Sequence, residues 1–294
     1  MRWIDELRMN FIKAEGLFRL MAINIGLFLL LSLLKLFFFL AGIHGFSADI
    51  VADWLAFPAA IVAFLKQPWS IVTYMFVHIN FFHILFNMLI LYWAGKLFCD
   101  MLGSRRVVIV YLMGGIWGGL LYMILFNVLP AFTGTVEMSR LIGASAGVIA
   151  VLCAIATLVP DYTIHLLFFG PVRLKYIALF LVVLYLISIP DGNAGGNISH
   201  LGGALYGYLY TRSLKNGGSP GLLPEKIFAW FTNRGKGNLR MVHKKSSRQT
   251  PDRHSRQEVI DAILDKINQS GYDSLSTEEK DILFKASGNS ESES

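Results

Sequence analysis

Between Leu20 and Ile43 the chain carries a single charge, Lys35. An apolar stretch of that length is long enough to cross the ~30 Å hydrocarbon core of a bilayer. No other feature narrows the fold as much, because in lipid every backbone N–H and C=O must be satisfied internally, which leaves helices and closed barrels. The run is too long for the apolar region of a typical signal peptide, and no clear small-x-small cleavage site follows it, so it is expected to be retained. Hydrophobic residues make up 54% of the chain and charged residues 16%, against ~25% charged in a soluble domain. The expected fold class is an all-α membrane protein.

Apolar segments at about 18–43, 72–98, 107–129, 143–159, 174–189 and 199–211 predict six transmembrane helices. Basic residues orient such helices, because cytoplasmic connections carry the excess. Of the 26 Lys and Arg residues, 23 fall in the N-terminal arm, the second-to-third and fourth-to-fifth connections, and the tail beyond Tyr210. The other three connections hold only Lys66 and Arg140. Both termini are therefore expected in the cytoplasm. Lys35 is expected to snorkel or to sit in a helix contact. The net charge of +6 reflects this topology, and no nucleic-acid partner is expected.

The chain divides into an arm (1–17), a six-span membrane domain (18–212), a basic flexible linker (213–254), a small helical hairpin (255–287) and a disordered tail (288–294). The eleven Lys and Arg from Arg212 to Arg256 would attract anionic lipid head groups, and they equally satisfy the topology rule. In the hairpin, Ser255 with Glu258 and Ser276 with Glu279 have capping-box spacing. The two cysteines, Cys99 and Cys153, suggest neither a disulfide framework nor a metal site. No metal or organic cofactor is expected, and the oligomeric state is left open.

Polar side chains inside membrane spans are costly and are functional candidates by default. Ser145 lies in "LIGASAGVIA" (141–150), His200 in "SHLGGALYG" (199–207), and His78, His83 and Asn87 in "HINFFHILFN" (78–87). The topology puts all five in outer halves of their spans. Counted back at 1.5 Å per residue from Pro160 and Arg212, Ser145 and His200 lie roughly 22 and 18 Å above the inner surface. Asp161 and His165 fall about 24 Å below Ser145 and are not its partners. Gly143 with Gly147, and Gly203 with Gly207, have the small-xxx-small spacing that lets helices approach backbone to backbone. Such packing would bring Ser145 within reach of His200, the geometry of a base-activated nucleophile. Small residues and a serine at this spacing also serve packing alone. His83 and Asn87, four apart, share a helix face and could donate to an oxyanion together with backbone N–H groups. His78 would lie about 140° from His83 around the same helix, which points to a structural role.

In this order, His78-xxxx-His83-xxx-Asn87, "GSRR" at 103–106, Gly143-x-Ser145 and His200-xx-Gly203-xxx-Gly207 resemble the rhomboid family of intramembrane serine proteases, over roughly Trp69 to Tyr210. The resemblance implies a rhomboid-like bundle that cuts transmembrane protein substrates, often at small residues. Ser145 would be the nucleophile and His200 the base, with His83, Asn87 and the Ser145 N–H around the oxyanion. His78, Gly143, Ala146, Gly203 and Gly207 would support them. It also implies that residues 41–68 form a long first loop lying partly in the membrane. The ending from Ile263 resembles a small module of some bacterial rhomboids, which implies a bacterial plasma membrane. Four positions depart from the family pattern. Ala146 stands where glycine is usual, and its methyl is expected to crowd the oxyanion backbone. Ile149 stands where an aromatic usually supports the histidine. Trp69 is followed by Ser70 rather than arginine, and Cys99, with Asp100 beside it, replaces an acidic residue. Two other readings use the same residues. A rhomboid-like client-binding protein would hold substrates without cutting them. A six-span transporter would line a pathway with them, but no inverted repeat or intramembrane acidic residue is visible.

Overall fold

A computed structural model describes residues 15–43, 48–166, 170–218 and 253–288. Most of the expected N-terminal arm and basic linker, and the tail after residue 288, lie outside the described residues. The chain forms two units, residues 1–235 and 236–294.

In the first unit the helices are α1 (Glu15–Leu40), α2 (Ala48–Leu55), α3 (Ile61–Lys66), α4 (Ser70–Thr73), α5 (Phe81–Leu102), α6 (Ser104–Val128), α7 (Ser145–Leu158), α8 (Leu174–Ile187) and α9 (Ala194–Lys215). Three of them, α1, α5 and α6, are long and apolar enough to cross a membrane by length and composition. The apolar helices α7 and α8 are shorter, at 14 residues each. Two short antiparallel ladders supplement the helices. One pairs β1 (Phe57–Pro58) with β2 (Arg140–Leu141), and the other pairs β3 (Thr163–Leu166) with β4 (Gly170–Arg173).

The second apolar segment is not one helix from residue 72. A short helical stretch ends at Phe76, and Val77 is extended. Asn80 then caps α5, its side chain accepting from the Phe82 and His83 N–H groups. An N-cap residue must leave helical geometry to make those bonds, so His78 precedes the helix. The last apolar segment starts earlier than expected, because Asn193 caps α9 through the Gly196 N–H.

The sequence of α7 is apolar all round, and a helix of that kind is buried on every side. Every residue from Ala146 to Ala156 is buried, with α5, α6 and α9 packed around it. On α1, Asn24 is fully buried. Its amide donates to the Leu20 carbonyl at 2.8 Å and to the Tyr111 hydroxyl at 3.2 Å. The Tyr111 hydroxyl in turn donates to the Met75 carbonyl at 2.9 Å. This chain of bonds ties α1, α6 and the segment before His78 into one frame.

The first loop is folded. Phe57 and Ala59 are fully buried in the core, and the Ala59 carbonyl accepts from Asn127 of α6 at 2.8 Å. On its other side Ile61, Val62 and Leu65 are exposed. Trp69 stacks on Trp54 at 5.9 Å between ring centroids.

In the second unit α10 (Arg253–Ser270) and α11 (Thr277–Gly288) are joined through Gly271. Here α10 starts two residues before Ser255, and the side chains of the expected Ser255–Glu258 box lie outside the described ones. At α11 the capping box does form. The Ser276 N–H donates to Glu279 Oε2 at 2.8 Å, and the Glu279 N–H donates to Ser276 Oγ at 3.2 Å.

Candidate active site

Ser145 is the first residue of α7, so its position is set by the turn before it. At Gly143, φ is +114°, a conformation that an L side chain rarely adopts. A Cβ there would also lie 2.6 Å from Cε1 of His83. The Gly143 N–H donates to the Tyr74 carbonyl at 2.9 Å, and the Ala144 N–H donates to His78 Nε2 at 3.3 Å. Two adjacent backbone bonds thus hold the entry to α7.

His78 is buried, and the Asn87 amide also donates to its Nε2, at 3.3 Å. With two N–H groups aimed at it, Nε2 is the accepting nitrogen and Nδ1 carries the proton. The His78 and His83 rings meet edge to face at 5.1 Å. The expected separation of these two around one helix therefore does not apply, because His78 precedes α5. Along α5, His83 and Asn87 are one turn apart, and a His83 ring edge lies against Gly143.

From α9, His200 Nε2 lies 2.6 Å from Ser145 Oγ. The two helices run side by side in the same direction. Thr211 donates to the Ala154 carbonyl at 2.9 Å, and Lys215 donates to the Thr157 carbonyl at 2.7 Å. Between these ties, a Cβ on Gly203 or Gly207 would overlap the carbonyls of Ala146 and Ala150 respectively. The glycines of α9 therefore seat against alanines of α7, not against Gly143 and Gly147. Gly143 lies outside the helix, and Gly147 packs on Tyr111 of α6.

The Ala146 methyl is buried in the α6 interface. It faces Gly118, where an added Cβ would come within 2.7 Å of it. The methyl expected to crowd the oxyanion backbone lies on the α6 side, where residue 118 has no side chain to compete for the space. Ile149 is buried in the core. The ring that meets His200 is Tyr185 of α8, at 4.3 Å between centroids. Sequence reasoning missed Tyr185. Its only signal was a lone hydroxyl-bearing residue in the run from Ile177 to Ile187.

Asp161 lies in the turn after α7, at the end opposite Ser145, and is ion-paired with Lys175 at 2.7 Å and Arg173 at 3.2 Å. The hydrogen bond and charge of Lys175, then Arg173, hold its carboxyl below the usual carboxylate range. Cys99 and Cys153 are buried and unbridged. Among the described residues no group of three or more His, Cys, Asp or Glu side chains is placed to hold a metal ion.

The Rhomboid domain family model matches residues 65–216. A second model, a family of unknown function (DUF6576), matches residues 248–289. A curated protein named RHOMBOID-like protein 12, mitochondrial, from Arabidopsis thaliana, is 30% identical over 159 residues, which cover 50% of this chain and 47% of that protein. The chain thus spans about half the length of the curated relative it matches.

Proposed function

Because this chain belongs to the rhomboid family, we propose that it is a serine-type intramembrane endopeptidase acting through Ser145 and His200. The observation that carries the reading is the 2.6 Å contact between His200 Nε2 and Ser145 Oγ. Nε2 takes the serine proton as Oγ attacks a substrate carbonyl. We assign three donors to the tetrahedral oxyanion. Ser145 opens α7, so its N–H is among those left without a helical partner, at the positive end of the helix dipole. The amide of Asn87, oriented by His78, and the His83 ring complete the hole. The Ala144 N–H is taken by His78 and does not contribute. When the peptide C–N bond breaks, His200 returns the proton to the leaving amine. Water, with His200 again as base, then releases the acyl group from Ser145.

We place six helices across the bilayer, with both termini cytoplasmic and the dyad nearer the outer face. The charge distribution supports this, as does the common direction of α7 and α9. At 14 residues, α7 is about 21 Å long, shorter than the ~30 Å hydrocarbon core. Ser145 therefore sits roughly 10 Å below the outer surface, where water can reach it from above. An apolar groove of about 450 Å³ between α5 and α8, lined by Leu89, Trp93, Leu152, Ile164 and Leu181 among others, lies below Ser145 toward the inner side and suits the part of a transmembrane substrate beyond the scissile bond. The proposed membrane is the bacterial plasma membrane; the name of the curated relative places that protein in the mitochondrion.

The test is labelling of the solubilised chain by a fluorophosphonate. Labelling is expected in the wild type and lost in Ser145→Ala and His200→Ala. A folded wild type that neither labels nor cleaves a transmembrane substrate in bilayers would leave the client-binding reading in its place.

A further inference from the structure

The His200 imidazole is held at one end only. Nε2 meets Ser145 Oγ, while Nδ1 is buried and meets no hydrogen-bond partner among the described residues. In many serine hydrolases a third polar group on Nδ1 fixes the ring. Here the ring's orientation has to come from packing, and an aromatic ring lies against it. Tyr185 is 4.3 Å from His200 between centroids and tilted by 59°, slightly closer than the ~4.5–7 Å spacing favoured by aromatic pairs. Residue 149, one turn below Ser145 on α7, is an isoleucine and brings no ring. Tyr185 stands two residues before the end of α8, a helix that packs on both α7 and α9. Its helix therefore rests against the two helices that carry Ser145 and His200.

We propose that Tyr185 is the positioning residue of the base: its ring holds the His200 imidazole with Nε2 directed at Ser145. This rests on the protease reading. It assigns the work to the aromatic ring and not to the phenol hydroxyl, so phenylalanine substitutes for it and aliphatic residues do not.

Full-length wild type, Tyr185→Phe, Tyr185→Leu and Tyr185→Met would be compared in detergent by their fluorophosphonate saturation kinetics, with thermal melting as the check on folding. The maximal inactivation rate reports on the base, and the half-saturating concentration reports on access to it. In Tyr185→Leu and Tyr185→Met the maximal rate is expected to fall by on the order of tenfold to a hundredfold, at unchanged half-saturation, while Tyr185→Phe keeps the wild-type rate. Two aliphatic variants of different shape guard against one failing to fold. Wild-type rates in both would overturn the proposal and leave the protease reading standing. So would a change confined to half-saturation, which would make Tyr185 an access residue. A wild type without label at Ser145 would remove the protease reading, and this proposal with it.

Discussion

Gly143 contributes to the site by what it lacks. Its φ of +114° and the His83 ring edge beside it leave no place for a methyl group. Gly143→Ala is expected to cost about 1–3 kcal/mol in strain and to abolish fluorophosphonate labelling through displacement of Ser145 and His83. Ala146→Gly is the informative contrast. The Ala146 methyl fills the space opposite Gly118, so removing it should cost about 1 kcal/mol and leave labelling within a few-fold of wild type. Melting curves and labelling rates of the two variants check both outcomes. A large gain of activity in Ala146→Gly would mean that the methyl does obstruct the oxyanion. At this scale the sequence pointed to the polar residues through the cost of burying them. It did not disclose that His78 bonds the Ala144 N–H, 66 residues away. That bond depends on a break in the helix at Val77, while hydropathy runs smoothly through it.

Among the elements, α11 carries the clearest titration. Lys266 hydrogen-bonds Glu279 at 2.9 Å, and the Ser276 N–H adds a second bond. Both favour the carboxylate, and together they hold Glu279 below its ordinary value. A carboxyl depressed in the folded state adds stability that is fully present above the unfolded pKa, ~4.3 for glutamate. That stability is lost as pH falls through the folded value. Hydrogen-exchange protection of the Ser276 and Glu279 amides in the full chain is expected to decline from neutral pH to about pH 3. It should be independent of pH in Glu279→Gln, whose amide oxygen can still accept from the Ser276 N–H. Equal protection at both pH values in the wild type would remove the capping box as the cause. The Ser276–Glu279 box was readable in the sequence because its partners are three residues apart. The starts of α5 and α9 were misjudged because asparagine caps, at Asn80 and Asn193, outweigh the apolar pattern around them.

For the whole molecule the question is sidedness. If α7 and α9 both enter from the outer face, residues 130–139 lie outside and residues 161–173 lie inside. Single cysteines in each segment, in a background with Cys99 and Cys153 replaced, would be tested with a membrane-impermeant maleimide on intact cells. Labelling is expected for 130–139 only, with 161–173 reacting after permeabilisation. Reaction of both segments from the same side would rule out the six-span arrangement. The groove between α5 and α8 belongs to this scale as well, since only the assembled bundle creates it.

Membrane class and the helical character of the long segments follow from sequence alone, because an apolar run in lipid has to satisfy its own backbone. The polar residues worth testing follow too, because burying them there is costly. Which of them meet was decided by tertiary structure. Ser145 and His200 are 55 residues apart and touch because Gly203 and Gly207 admit the Ala146 and Ala150 carbonyls of a neighbouring helix. Tyr185 reaches His200 because α8 packs against that same pair. Contacts of this kind depend on the rotation and register of whole helices against one another, and local periodicity along one segment carries no record of either.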